Sequence, residues 1–139
     1  MEFRFDPSAP AIVVFVVLQG RSPGQRRRLR LALDIGATYT LIPWEIARAL
    51  GYHPERSRRR VQLLTADGVL YVPLITVAQV RALGQTVSGL EVLVHDLPPA
   101  GRVDGLLGLN FLRHFTLTLD FPRGRLTLES ASPRRSGSR

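Results

Sequence analysis

Leu31-Ala32-Leu33-Asp34-Ile35-Gly36-Ala37-Thr38 is the stretch on which the reading of this chain turns. Leucines at alternate positions, with Arg28 and Arg30 between them, predict a half-buried strand with one wet face. That strand ends in a carboxylate, followed at once by glycine and small residues. Gly36 lets the backbone turn tightly and bring its N–H towards Asp34, and Thr38 can donate its hydroxyl to the same group. An acid held at a strand end over an apolar floor is one whose proton affinity can be controlled. Taken alone, the same residues also fit a turn aspartate that bonds its own backbone, which is common in β proteins.

Outward from Asp34 the chain is predominantly β. Turn signals recur at Gly20 to Gly24, Ala66 to Gly68, Gly84-Gln85, Pro98 to Gly101 and Pro122 to Gly124, with Val-, Ile-, Leu-, Thr- and Phe-rich stretches between them. Ala11–Leu18 is apolar at every position and predicts a strand buried on both faces or against a partner. Val61–Leu64 and Val69–Val72 flank Thr65-Ala66-Asp67-Gly68, a hairpin signal. Phe115, Leu117, Leu119 and Phe121 alternate with polar residues, and Pro122-Arg123-Gly124 turns the chain back into Leu126–Glu129. Two short helices interrupt this pattern. Pro43 opens one that closes at Gly51, with Ile46, Ala47 and Leu50 inward. The second is expected over Asn110–Phe115, with Phe111, Leu112 and Phe115 inward.

The chain has 139 residues, 45% of them hydrophobic, enough for one domain with a real core and too few for two ordinary ones. Residues 1–129 are expected to form that domain, and 130–139, made of Ser, Pro, Arg, Gly and one Ala, a disordered basic tail. With no cysteine, a disulfide scaffold, a Cys-ligated zinc site and a cysteine nucleophile are excluded. The longest apolar run, Ala11–Leu18, falls far short of the roughly 20 residues of a membrane span. Glu2 and Asp6 before it, and Gln19-Gly20-Arg21 after it, do not fit a signal peptide. A soluble cytoplasmic protein with no membrane contact is the expectation.

Asp34-Ile35-Gly36-Ala37-Thr38, then Tyr39–Ile42, and far downstream Val103-Asp104-Gly105-Leu106-Leu107-Gly108-Leu109-Asn110-Phe111-Leu112, together resemble the retropepsin-like aspartic proteases, and most of all their small single-domain bacterial members. The likeness runs from about Ile12 to Glu129 and takes in the Trp44–Leu50 helix, the Thr65–Gly68 hairpin and Val92–Pro98. It implies an all-β, closed or semi-closed β-barrel with a flap hairpin and one or two short helices. It also implies a homodimer in which each chain supplies one catalytic Asp34, supported by Ile35, Gly36, Ala37, Thr38, Leu107 and Gly108. The flap, with Thr65, Ala66, Asp67 and Gly68 at its tip, would close over an extended peptide or protein substrate. No cofactor and no metal are implied.

Two positions depart from the family pattern. Where the family has Thr or Ser after the catalytic aspartate, this chain has Ile35, which keeps the β-branched shape but cannot donate a hydrogen bond across the dimer. Leu109 stands where viral members have Arg. Ile35 therefore keeps a second expectation open, a catalytically weak or inactive dimeric module that binds extended peptides.

All 19 basic residues are arginine, against 11 acidic ones, for a formal charge of +8. They cluster at Arg26-Arg27-Arg28-Leu29-Arg30, Arg56-Ser57-Arg58-Arg59-Arg60 and Arg134-Arg135. No aromatic residue interleaves the first two, as a base-stacking platform needs. They read as solvated loops rather than a nucleic-acid site, and a basic barrel that binds RNA or DNA ranks third. His53, His95 and His114 lack metal-ligand spacing. Asp104 is expected at a turn before the Leu106–Gly108 strand, and Trp44 as a packing residue at a helix start.

Overall fold

A computed structural model describes residues 1–99 and 102–131. Its ten strands are β1 (Glu2–Arg4), β2 (Val13–Gln19), β3 (Arg26–Leu33), β4 (Thr40–Ile42), β5 (Arg60–Thr65), β6 (Gly68–Ala82), β7 (Gln85–Val94), β8 (Gly105–Leu107), β9 (Phe115–Asp120) and β10 (Arg125–Ser130), with helices α1 (Trp44–Ala49) and α2 (Leu109–Leu112) and a 3-10 turn at Pro54–Arg56.

The main sheet runs β2-β3-β8-β4-β7-β6-β5, and a further β2–β6 pairing closes six of these strands into a barrel. β3 and β8 pair in parallel, as do β4 and β7. This brings the end of β3, where Asp34 begins, beside the end of β8. Val16, Leu18, Leu31, Val77, Val80, Val92, Leu107 and Phe111 are wholly buried inside. A smaller cluster of Leu41, Val72, Leu74 and Leu93 lies under the β5–β6 hairpin.

Besides closing the barrel against β2, β6 serves two partners in turn. Gly68–Pro73 pairs with β5 and Leu74–Ala82 with β7, so the exchange falls at Pro73, which has no N–H to give to a ladder. A separate sheet, β1-β10-β9, holds both ends of the described chain. No helix among the described residues is long and apolar enough to cross a membrane.

Several expectations change. Ala11–Leu18 is buried on one face only. Val14, Val16 and Leu18 point inward, whereas Phe15 is 55% exposed, because among the described residues no second layer covers the outer face of the barrel wall. The second helix stops at Leu112, and Phe115 starts β9 opposite Ser130. Strand pairing has overridden a helical spacing of apolar residues there.

The strand expected at Arg28 and Arg30 extends back to Arg26, so the loop reading of this arginine cluster does not hold, and Arg60 opens β5. The hairpin corner is Ala66-Asp67, with Thr65 opposite Gly68. Gly68 takes φ 128° at the start of the returning strand, a conformation that favours glycine. The first helix matches its expected span, and the Asp96 carboxylate caps it by accepting the Trp44 N–H at 3.0 Å. β10 extends to Ser130, one residue into the segment expected as tail, and residues 132–139 lie outside the described residues.

Candidate active site

β3 delivers Asp34 and β8 anchors it. The Asp34 N–H donates to the Leu107 carbonyl at 3.0 Å, and the Ala37 N–H donates to the Asp34 carbonyl at 3.2 Å, which turns the chain sharply. Within that turn the Gly36 N–H donates to Asp34 Oδ1 at 2.9 Å. Thr38 does not take the expected role. Its side chain is exposed, and the carboxylate is held by the Gly36 amide instead. Asp34 is half-buried, and Ile35 beside it is 62% exposed, an apolar side chain facing outward next to a carboxylate.

The loop after Asp34 is cross-braced to the chain following β8. Ala37 and Thr38 carbonyls accept from the Leu109 and Asn110 N–H groups at 2.8 and 3.1 Å. Thr40 is the buried polar residue at the centre of the brace. Its Oγ1 accepts from the Gly108 N–H at 3.1 Å and donates to Asn110 Oδ1 at 3.0 Å, and its own N–H donates to the same Asn110 oxygen at 2.9 Å.

Such close strands leave no room for side chains at two positions. A Cβ on Gly108 would sit 2.5 Å from the Tyr39 carbonyl oxygen, and one on Gly105 would run into the Leu41 carbonyl. Sequence reasoning singled out Gly108 but gave Thr40 no role. A threonine entering a short strand looks like strand filler, and only the crossing of two distant segments shows its work.

A cleft of about 520 Å³ opens beside this loop. Gly36, Ala37, Thr38 and Tyr39 form one wall, Val61 to Leu64 of β5 the other, and Leu41, Leu93 and Leu106 the floor. The structure therefore brings Gly36, Ala37 and Thr38 to the cleft, with Leu107 and Gly108 behind them. It does not bring the hairpin tip: Thr65, Ala66, Asp67 and Gly68 lie beyond the lining, which β5 supplies. Asp104 is no partner for Asp34 within one chain. It accepts the Arg30 N–H at 2.9 Å, so it sits four residues back along β3, about 13 Å by strand rise. Among the described residues no three His, Cys, Asp or Glu side chains gather into a possible metal site.

A family model described as aspartyl protease matches residues 16–111, which span the barrel, Asp34, the hairpin and the Gly108 brace. The chain belongs to this aspartyl protease family. Among solved structures it is similar to a retropepsin-like aspartic protease from Rickettsia conorii, at 20% identity and a TM-score of 0.69, over 92% of this chain and 88% of that one. The fold is thus retropepsin-like. No curated protein sequence gives a significant match.

Proposed function

We propose that this chain is an aspartic endopeptidase that works as a homodimer, each copy giving one Asp34 to a shared catalytic dyad. The observation that carries the reading is the half-buried Asp34 carboxylate, held by the amide of Gly36, the residue at which the wall of an apolar cleft begins, in a barrel of the aspartyl protease family. One acid per chain suffices for only half of the chemistry. Ile35 beside it, an exposed apolar side chain, supports a second copy covering this surface.

In the dyad two carboxylates roughly 3 Å apart cannot both ionise, so they share one proton. The ionised carboxylate takes a proton from the bound water as the water oxygen attacks the scissile carbonyl. The protonated one gives its proton to the carbonyl oxygen. Collapse of the tetrahedral adduct breaks the C–N bond: the proton taken from water passes to the leaving amine, and one hydroxyl of the adduct returns its proton to the other carboxylate, leaving a carboxylic acid product and a dyad that again shares one proton. The two apparent pKa values belong to the pair. An extended peptide would lie between the Gly36–Tyr39 wall and β5, with the Thr65–Gly68 turn closing over it as a flap.

A second reading rests on Ile35. Without a hydroxyl there, the dimer loses a hydrogen bond beneath the dyad, and the same scaffold could hold extended peptides with little turnover. A peptide library assayed across pH decides between the two. Cleavage on the acid side of neutral, blocked by a hydroxyl-containing transition-state mimic and abolished in a folded Asp34→Ala protein, supports the enzyme. Retained cleavage in that variant refutes it, and peptide binding without cleavage supports the second reading.

A further inference from the structure

The outer side of the barrel wall carries a basic face, bounded by Asp104, which accepts the Arg30 N–H, and by Glu91, opposite Thr76. In antiparallel pairs, residues directly opposite share a face. The register places Arg28, Val17, Arg81 and Thr86 in one row across β3, β2, β6 and β7, and Arg26, Gln19, Gln79 and Ser88 in the next. Phe15, opposite Arg30, extends the face by a third row. None of these positions is acidic, and among the described residues Arg26, Arg28 and Arg81 make no salt bridge.

The aromatic residue missing from the arginine cluster in sequence is present in space. Phe15 is 55% exposed, and the Arg28 guanidinium lies 3.8 Å from its ring centroid. A cavity of about 370 Å³ opens between Gln19, Arg26, Gln79 and Arg81. Beyond it, a second cavity is lined by Arg21, Arg56, Ser57 and Thr76. Tyr52, which lines the second, donates its hydroxyl to the carbonyl of Gln19, which lines the first, at 2.8 Å.

We propose that this face of β2, β3 and β6 binds single-stranded nucleic acid. Arginines recur along β3 about every 6.8 Å. Each presents a planar fork that matches a phosphate in two hydrogen bonds. The Phe15 ring, with Arg28 against it, offers a stacking surface that tolerates any base. Gln19, Gln79, Thr86 and Ser88 both donate and accept hydrogen bonds, as sugar and base edges require. An acidic peptide would use the charge but not the exposed ring, and so fits the face less fully.

Fluorescence anisotropy tests this with the full chain and a labelled single-stranded oligouridylate of about 16 nucleotides. Binding is expected at about 50 mM salt and falls steeply towards 200 mM. Arg26→Ser/Arg28→Ser/Arg81→Ser should weaken it at least ~10-fold and reduce the log–log salt slope by about 2, at roughly 0.7 per lost phosphate contact. Arg58→Ser/Arg113→Ser/Arg123→Ser removes equal charge elsewhere and should change affinity less than ~3-fold if the face is specific. Phe15→Ser should weaken RNA binding while leaving inorganic polyphosphate binding unchanged. Circular dichroism shows that each variant is folded. No binding at low salt, equal losses in the two triple variants, or competition by polyglutamate as strong as by RNA would overturn the proposal.

Discussion

Asn110 Oδ1 accepts two hydrogen bonds from one residue, the N–H and the hydroxyl of Thr40, at 2.9 and 3.0 Å. The two residues lie 70 positions apart in the chain, one at the start of β4 and the other in α2. Their contact ties the loop that carries Asp34 to the segment that follows β8.

Thr40→Val keeps the shape of the side chain and deletes the hydroxyl. It leaves the buried Gly108 N–H without an acceptor, and a loss of about 1–3 kcal/mol is expected. Thr40→Ser should retain most of the stability. Urea denaturation of the three proteins measures the difference, and equal midpoints for Thr40→Val and the parent would show that the brace contributes nothing.

Gly108→Ala forces a Cβ to within 2.5 Å of the Tyr39 carbonyl oxygen and 2.9 Å of that of Ala37. Both obstacles are backbone, so the wall of the cleft must move. Overpacking of this kind costs about 1–3 kcal/mol or more. Thermal melting reads the loss, and any cleavage activity should fall further than stability alone explains.

Ile35→Thr gives the exposed position after Asp34 a hydroxyl. If a second copy covers it, the substitution supplies a buried hydrogen bond of about 0.5–1.5 kcal/mol per site. The dimer dissociation constant, from analytical ultracentrifugation, should drop several-fold and peptide turnover should rise. An unchanged monomer in both proteins would count against the shared dyad.

Asp120 supplies the pH test. Arg123 donates from its side chain to Asp120 Oδ2 at 3.0 Å and from its backbone N–H to Oδ1 at 3.1 Å, and these bonds hold the carboxyl below its ordinary range. A depressed folded-state pKa means the stabilising contribution is present at neutral pH and lost as pH falls through the folded value. NMR titration should place the Asp120 midpoint below about 3.9, and Arg123→Ala should move it up. In Asp120→Asn the acid limb of stability should be flatter.

The Asp34 turn and the barrel strands around it were readable because each rests on local chemistry, with alternating leucines, then an acid, then a glycine. What stayed hidden depends on distant partners. β1 is three residues long and gains its strand character only from pairing with β10 near the other end. Thr40 carries no local mark of the Asn110 contact. Phe115 kept a helical spacing with Phe111 and Leu112, and the β10 ladder drew it into a strand. Phe15 looked like core until the barrel left its outer side uncovered. The arginines looked like loop for a similar reason: charge suggested solvent, and solvent was there, but over a sheet.

The exchange of partners at Pro73 makes β6 both arm and stave. No flexible joint separates the hairpin from the barrel, so a force that bends the hairpin tip is felt as torque on one continuous backbone. The place that yields is the join itself, where Pro73 offers no amide and Leu74 reaches across to the Arg59 carbonyl at 2.9 Å. Hydrogen exchange at the Leu74 amide would therefore act as a strain gauge, quickening when the tip is levered and slowing when something pins it.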